Sequence, residues 1–169
     1  MPTRFIFGCA VSLDGFIADA SGSVDWLNPF TGDYESDYLT RTDTLIMGRA
    51  TYEHGVELGF RGDKRPVIVL SRTLSKAEYA NEIWKGSVEA LADRLRRDGM
   101  NDVWVMGGGV TASAFVEAGV LTDVRLSVMP VILGSGVPLF APMRTPLSLK
   151  LVRSKSFPDG VITADYALL

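Results

Sequence analysis

"VWVMGGGVTASAF", residues 103–115, runs from four consecutive apolar residues through Gly107, Gly108 and Gly109 into a helix-like pattern. A short, wholly apolar run ending at such a junction reads as a strand covered on both faces, as in the parallel core of an α/β sheet. In an open sheet of that kind, ligands sit beyond the carboxyl ends of the strands. There the first turn of the next helix leaves backbone N–H groups free and its dipole favours anions. Residues without Cβ let a diphosphate approach this backbone closely. The bland alternative is a tight turn in which glycine only supplies positive φ. Three glycines in a row exceed what one turn needs and favour a phosphate site, with Thr111 and Ser113 as hydroxyl donors. The run is neither G-x-G-x-x-G nor a P-loop, so no standard dinucleotide or nucleoside-triphosphate fingerprint applies.

Upstream, "FIFGCAV" (5–11), "TLIM" (44–47) and "VIVL" (67–70) repeat the buried-strand pattern. Between them, "SVEALADRLRRDG" places Val88, Leu91, Ala92 and Leu95 on one stripe, with Ser87 as N-cap and Gly99 after the last turn. Weaker helices are expected near Asp33, where Tyr34 and Tyr38 share a face, and near Arg49. Downstream, "DVRLSV" (123–128) and "LSLKL" (147–151) alternate, and "FPDG" (157–160) is a turn signal before "VITADYALL". The C-terminus therefore reads as an antiparallel hairpin with one wetter face. The inferred fold is α/β: a mixed sheet, parallel first and antiparallel at its end, flanked by three or four helices.

Two more strand ends share the chemistry of the glycine run. "LIMGRATYE" enters a helix through Gly48 and Arg49, with Thr51 in the first turn; an arginine there opposes the dipole unless an anion is near. "VIVLSRT" sets Ser71 beside Arg72, a hydroxyl and a guanidinium fork suited to a phosphomonoester. Three anion-friendly ends on one sheet edge suggest a dinucleotide with an extra phosphate, and NADPH is the economical choice.

At 169 residues the chain suits one domain, 1–169, and its composition is ordinary for a globular protein: 47% hydrophobic, 22% charged. A net charge of -3 argues against a nucleic-acid partner. Cys9 is the only cysteine, which excludes an intramolecular disulfide, fits a reducing compartment and reads as a buried mid-strand residue. No apolar stretch approaches a membrane span and the N-terminus lacks a signal-peptide core, so a cytoplasmic location is expected.

"VSLDGFIAD", "DTLIMGRATYE", "VIVLSRT" and "VWVMGGGVTASAFVEAGVLTDVRLSVMPVILGSGVPLF" together resemble the dihydrofolate-reductase-like superfamily. They are most similar to the reductase domain of bifunctional riboflavin-biosynthesis deaminase/reductases and its stand-alone relatives, over essentially the whole chain. The resemblance implies a three-layer fold with a central sheet of about eight strands and an NADPH-dependent reductase. It places Gly48, Arg49, Ala50 and Thr51 at the cofactor phosphates and Ser71 with Arg72 at the 2′-phosphate. Gly107 to Gly109 with Val110 and Thr111 fall at the pyrophosphate, Ala10 and Val11 at the nicotinamide carboxamide. Ile17 and Trp26 lie in the loop over the nicotinamide. Gly134 and Ser135, with Gly136, fall where relatives approach the substrate.

The reaction implied resembles that of 5-amino-6-(5-phosphoribosylamino)uracil reductase; dihydrofolate or pterin reduction and non-catalytic NADPH binding are the alternatives. Folate reduction is disfavoured because Asp33, Glu35 and Asp37 give no unambiguous match to the pterin-gripping carboxylate. The deaminase signature, H-x-E with paired cysteines, is absent, so the reductase is expected to stand alone. Hydride chemistry belongs to the cofactor, leaving the protein to align, exclude water and supply a proton. Asp14, just after the first strand, is the preferred acid, against a reading as an Asp-Gly turn residue. Asp33 and Asp37 come next as substrate contacts. His54, the sole histidine, reads as a surface residue, and no metal ligands stand at usable spacing. The wet C-terminal edge needs covering, and a homodimer is expected.

Overall fold

The computed structural model describes residues 2–34, 36–144 and 146–169. In chain order the elements are β1 (Arg4–Ser12), β2 (Phe16–Asp19), α1 (Ser36–Leu39), β3 (Thr44–Gly48), α2 (Arg49–Glu57), β4 (Val67–Leu70) and β5 (Glu82–Trp84). They continue with α3 (Val88–Arg97), β6 (Asp102–Val105), α4 (Gly109–Glu117), β7 (Asp123–Met129), β8 (Gly136–Pro138), β9 (Leu149–Ser156) and β10 (Ile162–Leu168). Eight strands form one sheet in the order β5-β4-β3-β6-β1-β7-β10-β9, and β2 pairs with β8 in a separate ribbon. Strands β5 through β7 run parallel, and β10 pairs antiparallel with both β7 and β9.

Helices cover both faces, as continuous apolar strands require. On one side Leu91 and Leu95 of α3 and Phe115 of α4 bury against Phe5, Phe7, Val103 and Val105. On the other, Tyr52 of α2 packs with Ile6, Leu45, Met47, Val69 and Trp104. Trp104 lies so close over Gly8 that any Cβ there would collide with its indole. Helix α3 follows its sequence pattern closely: Ser87 caps it by accepting from the Ala90 amide at 3.2 Å, and Gly99 turns the chain at φ +76°.

The hairpin at "FPDG" forms as expected, with Gly160 at φ +89°. Its one wetter face does not. All eight residues of β9 are exposed, because the strand lies at the edge of the sheet with neither side covered. Conversely, β7 alternates in sequence yet buries Arg125 and Ser127. Residues on both of its faces are buried or half-buried, so it has no wet face. Cys9 is half-buried rather than fully enclosed, packed beside the Phe5–Phe115 core. The helix near Asp33 shrinks to the single turn of α1.

Candidate active site

The parallel run β4-β3-β6-β1 turns four consecutive strand ends to one rim. Along it stand Ser71 and Arg72, then Gly48 to Thr51, then Gly107 to Thr111, then Ala10 and Val11. At ordinary strand spacing these ends span roughly 14 Å, a length suited to an extended dinucleotide.

The middle of the rim is tied together by backbone. The Gly48 amide donates to the Gly107 carbonyl at 2.8 Å, and a Cβ on Gly48 would run into the Thr111 hydroxyl. Each glycine of the triplet has its own circumstances. Gly107 adopts φ +95°. A Cβ on Gly109 would meet the Pro138 and Leu139 carbonyl oxygens at 2.7 and 2.9 Å. At Gly108 a Cβ would find only Ile17 Cδ1 at 3.4 Å and Thr51 Oγ1 at 3.6 Å, near-ordinary contacts. The protein's own atoms thus leave space at Gly108.

Helices α2 and α4 begin at Gly48 and Gly108 with no side-chain cap, unlike α3. Their first-turn N–H groups are therefore left for water or a ligand, on adjacent strands of one sheet edge. Arg49 has a simpler explanation than the dipole argument supplied: Nη1 reaches Glu53 one turn along α2 at 2.9 Å. Ala50 is exposed beside it.

At the β4 end, Ser71 Oγ accepts from the Leu74 amide at 2.9 Å and the Thr73 amide at 3.3 Å, closing a small turn and keeping its own proton to donate. The turn presents Arg72, exposed and engaged in no salt bridge among the described residues. A cleft of about 770 Å³ opens here, lined by Ser71, Arg72, Val110 and Thr111. Trp84, Gly86 and Arg144 also line it. No strand-end pattern had flagged them: β5 is only three residues long, and Arg144 lies in irregular chain after β8.

Around β1 two of the expected site residues bond to each other. Asp14 accepts from Ser12 Oγ at 2.6 Å, the Gly134 amide at 2.7 Å and the Leu133 amide at 3.1 Å. The Ser12 bond first, and the two amides with it, hold its carboxyl below the usual aspartate range. Such a carboxylate ties the loop after β7 to the turn after β1; it is a poor reservoir for a proton. Gly134, at φ +77°, has its N–H occupied by Asp14, and Ser135 stands exposed next to it.

Asp37 is likewise engaged. Its carboxylate takes Arg153 Nη2 at 2.7 Å and Arg125 Nη2 at 3.1 Å. Although burial raises its pKa, the arginine contacts outweigh it and the carboxyl lies below its ordinary value. Asp33 is exposed, and Glu35 lies outside the described residues. His54 Nδ1 stands 3.5 Å from Glu57 on α2.

Beside Ala10, in register across β1 and β7, lies Ser127, 1% exposed. Its hydroxyl has no partner among the described residues, nor do Arg125 Nε and Trp26 Nε1, all of them buried. Ser127 and Arg125 share the α1 side of the sheet, since residues two apart face alike. Trp26 and Ala10 both pack against the cluster of Tyr34, Met129 and Val161.

The family model described as the RibD C-terminal domain matches residues 4–163. The chain is 33% identical over 168 residues to the Bacillus subtilis (strain 168) protein YwjB, described as uncharacterized, covering 95% of this chain and 96% of that one. A crystal structure from Shewanella sp. PV-4, whose description assigns it provisionally to riboflavin biosynthesis, superposes with a TM-score of 0.89 at 30% identity, covering 99% of each chain. Dihydrofolate reductase from Enterococcus faecalis, solved with NADP(H), gives a TM-score of 0.69 at 16% identity over 99% of each chain, a likeness of fold alone.

Proposed function

Because this chain belongs to the RibD C-terminal domain family, we propose that it is an NADPH-dependent reductase of a small nitrogen heterocycle. The substrate class is that of 5-amino-6-(5-phosphoribosylamino)uracil. The observation that carries the coenzyme reading is the rim itself. Two uncapped helix starts, a glycine with room in front of it, and an arginine over a cleft with no salt bridge among the described residues occupy adjacent strand ends. Each suits a phosphate, and together they suit a dinucleotide with a third one.

Bound there, the coenzyme supplies hydride. The residues of this chain bind and orient it: the first turns of α2 and α4 hold the diphosphate by their amides, and Ser71 and Arg72 hold the 2′-phosphate. Ala10 and Val11 offer backbone to the carboxamide, and Ile17 closes over Gly108. The buried Ser127 hydroxyl beside Ala10, without a partner among the described residues, supports a polar substrate there, because buried polar groups ordinarily find a partner. Asp14 positions the loop carrying Gly134 and Ser135, and the proton comes from water held near the reacting carbon. A folate or pterin substrate is less well supported, since Asp37 is already gripped by two arginines.

A reducing, cytoplasmic setting suits both the coenzyme and the lone thiol. No helix among the described residues is long and apolar enough to cross a membrane. The exposed β9 edge suits pairing with a second copy.

The test is NADPH oxidation with the purified protein across ribosylaminopyrimidine, dihydropterin and dihydrofolate substrates. Turnover of the first class alone is expected. Turnover of dihydrofolate alone overturns the substrate class, and tight NADPH binding without turnover of any substrate makes the protein a coenzyme binder.

A further inference from the structure

We propose that Arg144 is a second cation for the coenzyme's 2′-phosphate, acting with Arg72 and setting the preference for NADPH over NADH. The inference rests on the coenzyme reading above and adds a residue from a different part of the chain. Arg72 arrives from the β4 turn and Arg144 from the irregular segment after β8, and both line the same cleft.

Placement of Arg144 is not left to a loose loop. Three residues earlier, Ala141 is fastened to the start of α4: its carbonyl accepts from Ser113 Oγ at 3.2 Å, and its amide donates to Gly109 O at 3.5 Å. The missing side chain of Gly109 is what lets the Pro138–Leu139 backbone lie this close. The segment therefore crosses directly over the first turn of α4 before delivering Arg144 to the cleft.

That turn brings no charge of its own. Its outermost side chain is Val110, 76% exposed and part of the cleft wall. Glu89 and Glu117 also line the cleft, yet neither forms a salt bridge with Arg72 or Arg144 among the described residues. By contrast Arg4, Arg65, Arg94, Arg125 and Arg153 each meet a carboxylate. Two guanidinium groups with no salt bridge among the described residues, at one concave site, match a phosphomonoester, which carries close to two negative charges near neutral pH. The ribose hydroxyl of NADH offers nothing for the second one to neutralise.

The test titrates wild type, Arg144→Gln, Arg144→Lys and Arg72→Gln with NADPH, NADH and 2′,5′-ADP, following tryptophan fluorescence. Arg144→Gln should weaken NADPH and 2′,5′-ADP by roughly 10- to 100-fold, the scale of a charge-assisted contact, and leave NADH within about twofold. Arg144→Lys should recover part of the loss, keeping the charge but not the fork. Melting temperatures of the unliganded variants should match wild type, since both side chains are exposed. Unchanged NADPH affinity in Arg144→Gln beside a loss in Arg72→Gln overturns the role of Arg144 and leaves the coenzyme reading standing. Equal losses for NADPH and NADH also overturn it. A wild type with no preference for NADPH over NADH overturns the coenzyme reading, and this inference with it.

Discussion

Asp165 on β10 stands opposite Arg125 on β7 and takes its guanidinium at 3.1 Å, with the two side chains 9% and 4% exposed. Arg125 also donates to the Tyr34 carbonyl at 2.7 Å and lies 3.9 Å over the ring of Tyr38, so one buried cation fastens α1 and its approach to the sheet. The second arginine on Asp165, Arg153 at 2.9 Å, is more than half exposed.

Removing the buried anion strands the buried cation. Asp165→Ala should therefore cost about 3–5 kcal/mol of unfolding free energy. Asp37→Ala, whose carboxylate is about half exposed, should cost no more than about 1 kcal/mol. Urea unfolding of the two variants gives the comparison; equal losses would mean that the pair at Asp165 is not the anchor.

The glycine triplet separates into structural and ligand-facing positions. Gly109→Ala pushes a Cβ against two backbone carbonyl oxygens that cannot rotate away, and should cost about 1–3 kcal/mol. That corresponds to a melting temperature lower by several degrees. Gly108→Ala meets only the tips of Ile17 and Thr51. It should melt closer to wild type and lose NADPH affinity by about tenfold or more. Calorimetry with NADPH on both variants checks the division; a Gly108→Ala protein that binds normally places the diphosphate elsewhere.

What the sequence made legible follows from how local each signal is. "VIVL" is apolar at every position because both faces of β4 are covered, and "SVEALADRLRRDG" carries its cap, stripe and terminal glycine within one helix. The row of strand ends along the rim was legible for the same reason, as each piece sits at a single strand end. Arg125 and Ser127 were not: in β7 they look like the wet half of an alternating strand, and the partners that let the arginine go inside, Asp165 and Asp37, are 40 and 88 residues away. The partners of Asp14 were not legible, because Leu133 and Gly134 lie about 120 residues downstream. The β2–β8 ribbon pairs four residues with three across a comparable separation, too short to leave a periodic trace.

Asp14 is depressed below the ordinary aspartate range by Ser12 and the two loop amides. A carboxyl lowered by folding contributes stability that is complete above the ordinary aspartate range and lost only as acid carries it through its lower folded value. Across any assay between pH 5 and 9 it stays ionised. Asp14→Asn should therefore lower turnover through a misplaced Gly134–Ser135 loop while leaving the shape of the pH–rate profile unchanged. Loss of one limb of that profile in the variant would make Asp14 the proton donor after all.

The edge strand supplies the last prediction. All of β9 is exposed, including Leu151 and Val152, and its outer backbone is unpaired within the sheet. Sheet edges with apolar side chains invite pairing, and closed two-fold pairs are the commonest outcome. Light scattering should thus give a mass near twice 18.4 kDa. Leu151→Lys combined with Val152→Lys should shift it to the monomer without loss of folded signal, because neither side chain belongs to the buried core. A wild type that remains monomeric at high concentration would show that the arginines and lysines flanking these residues, Lys150, Arg153 and Lys155, protect the edge.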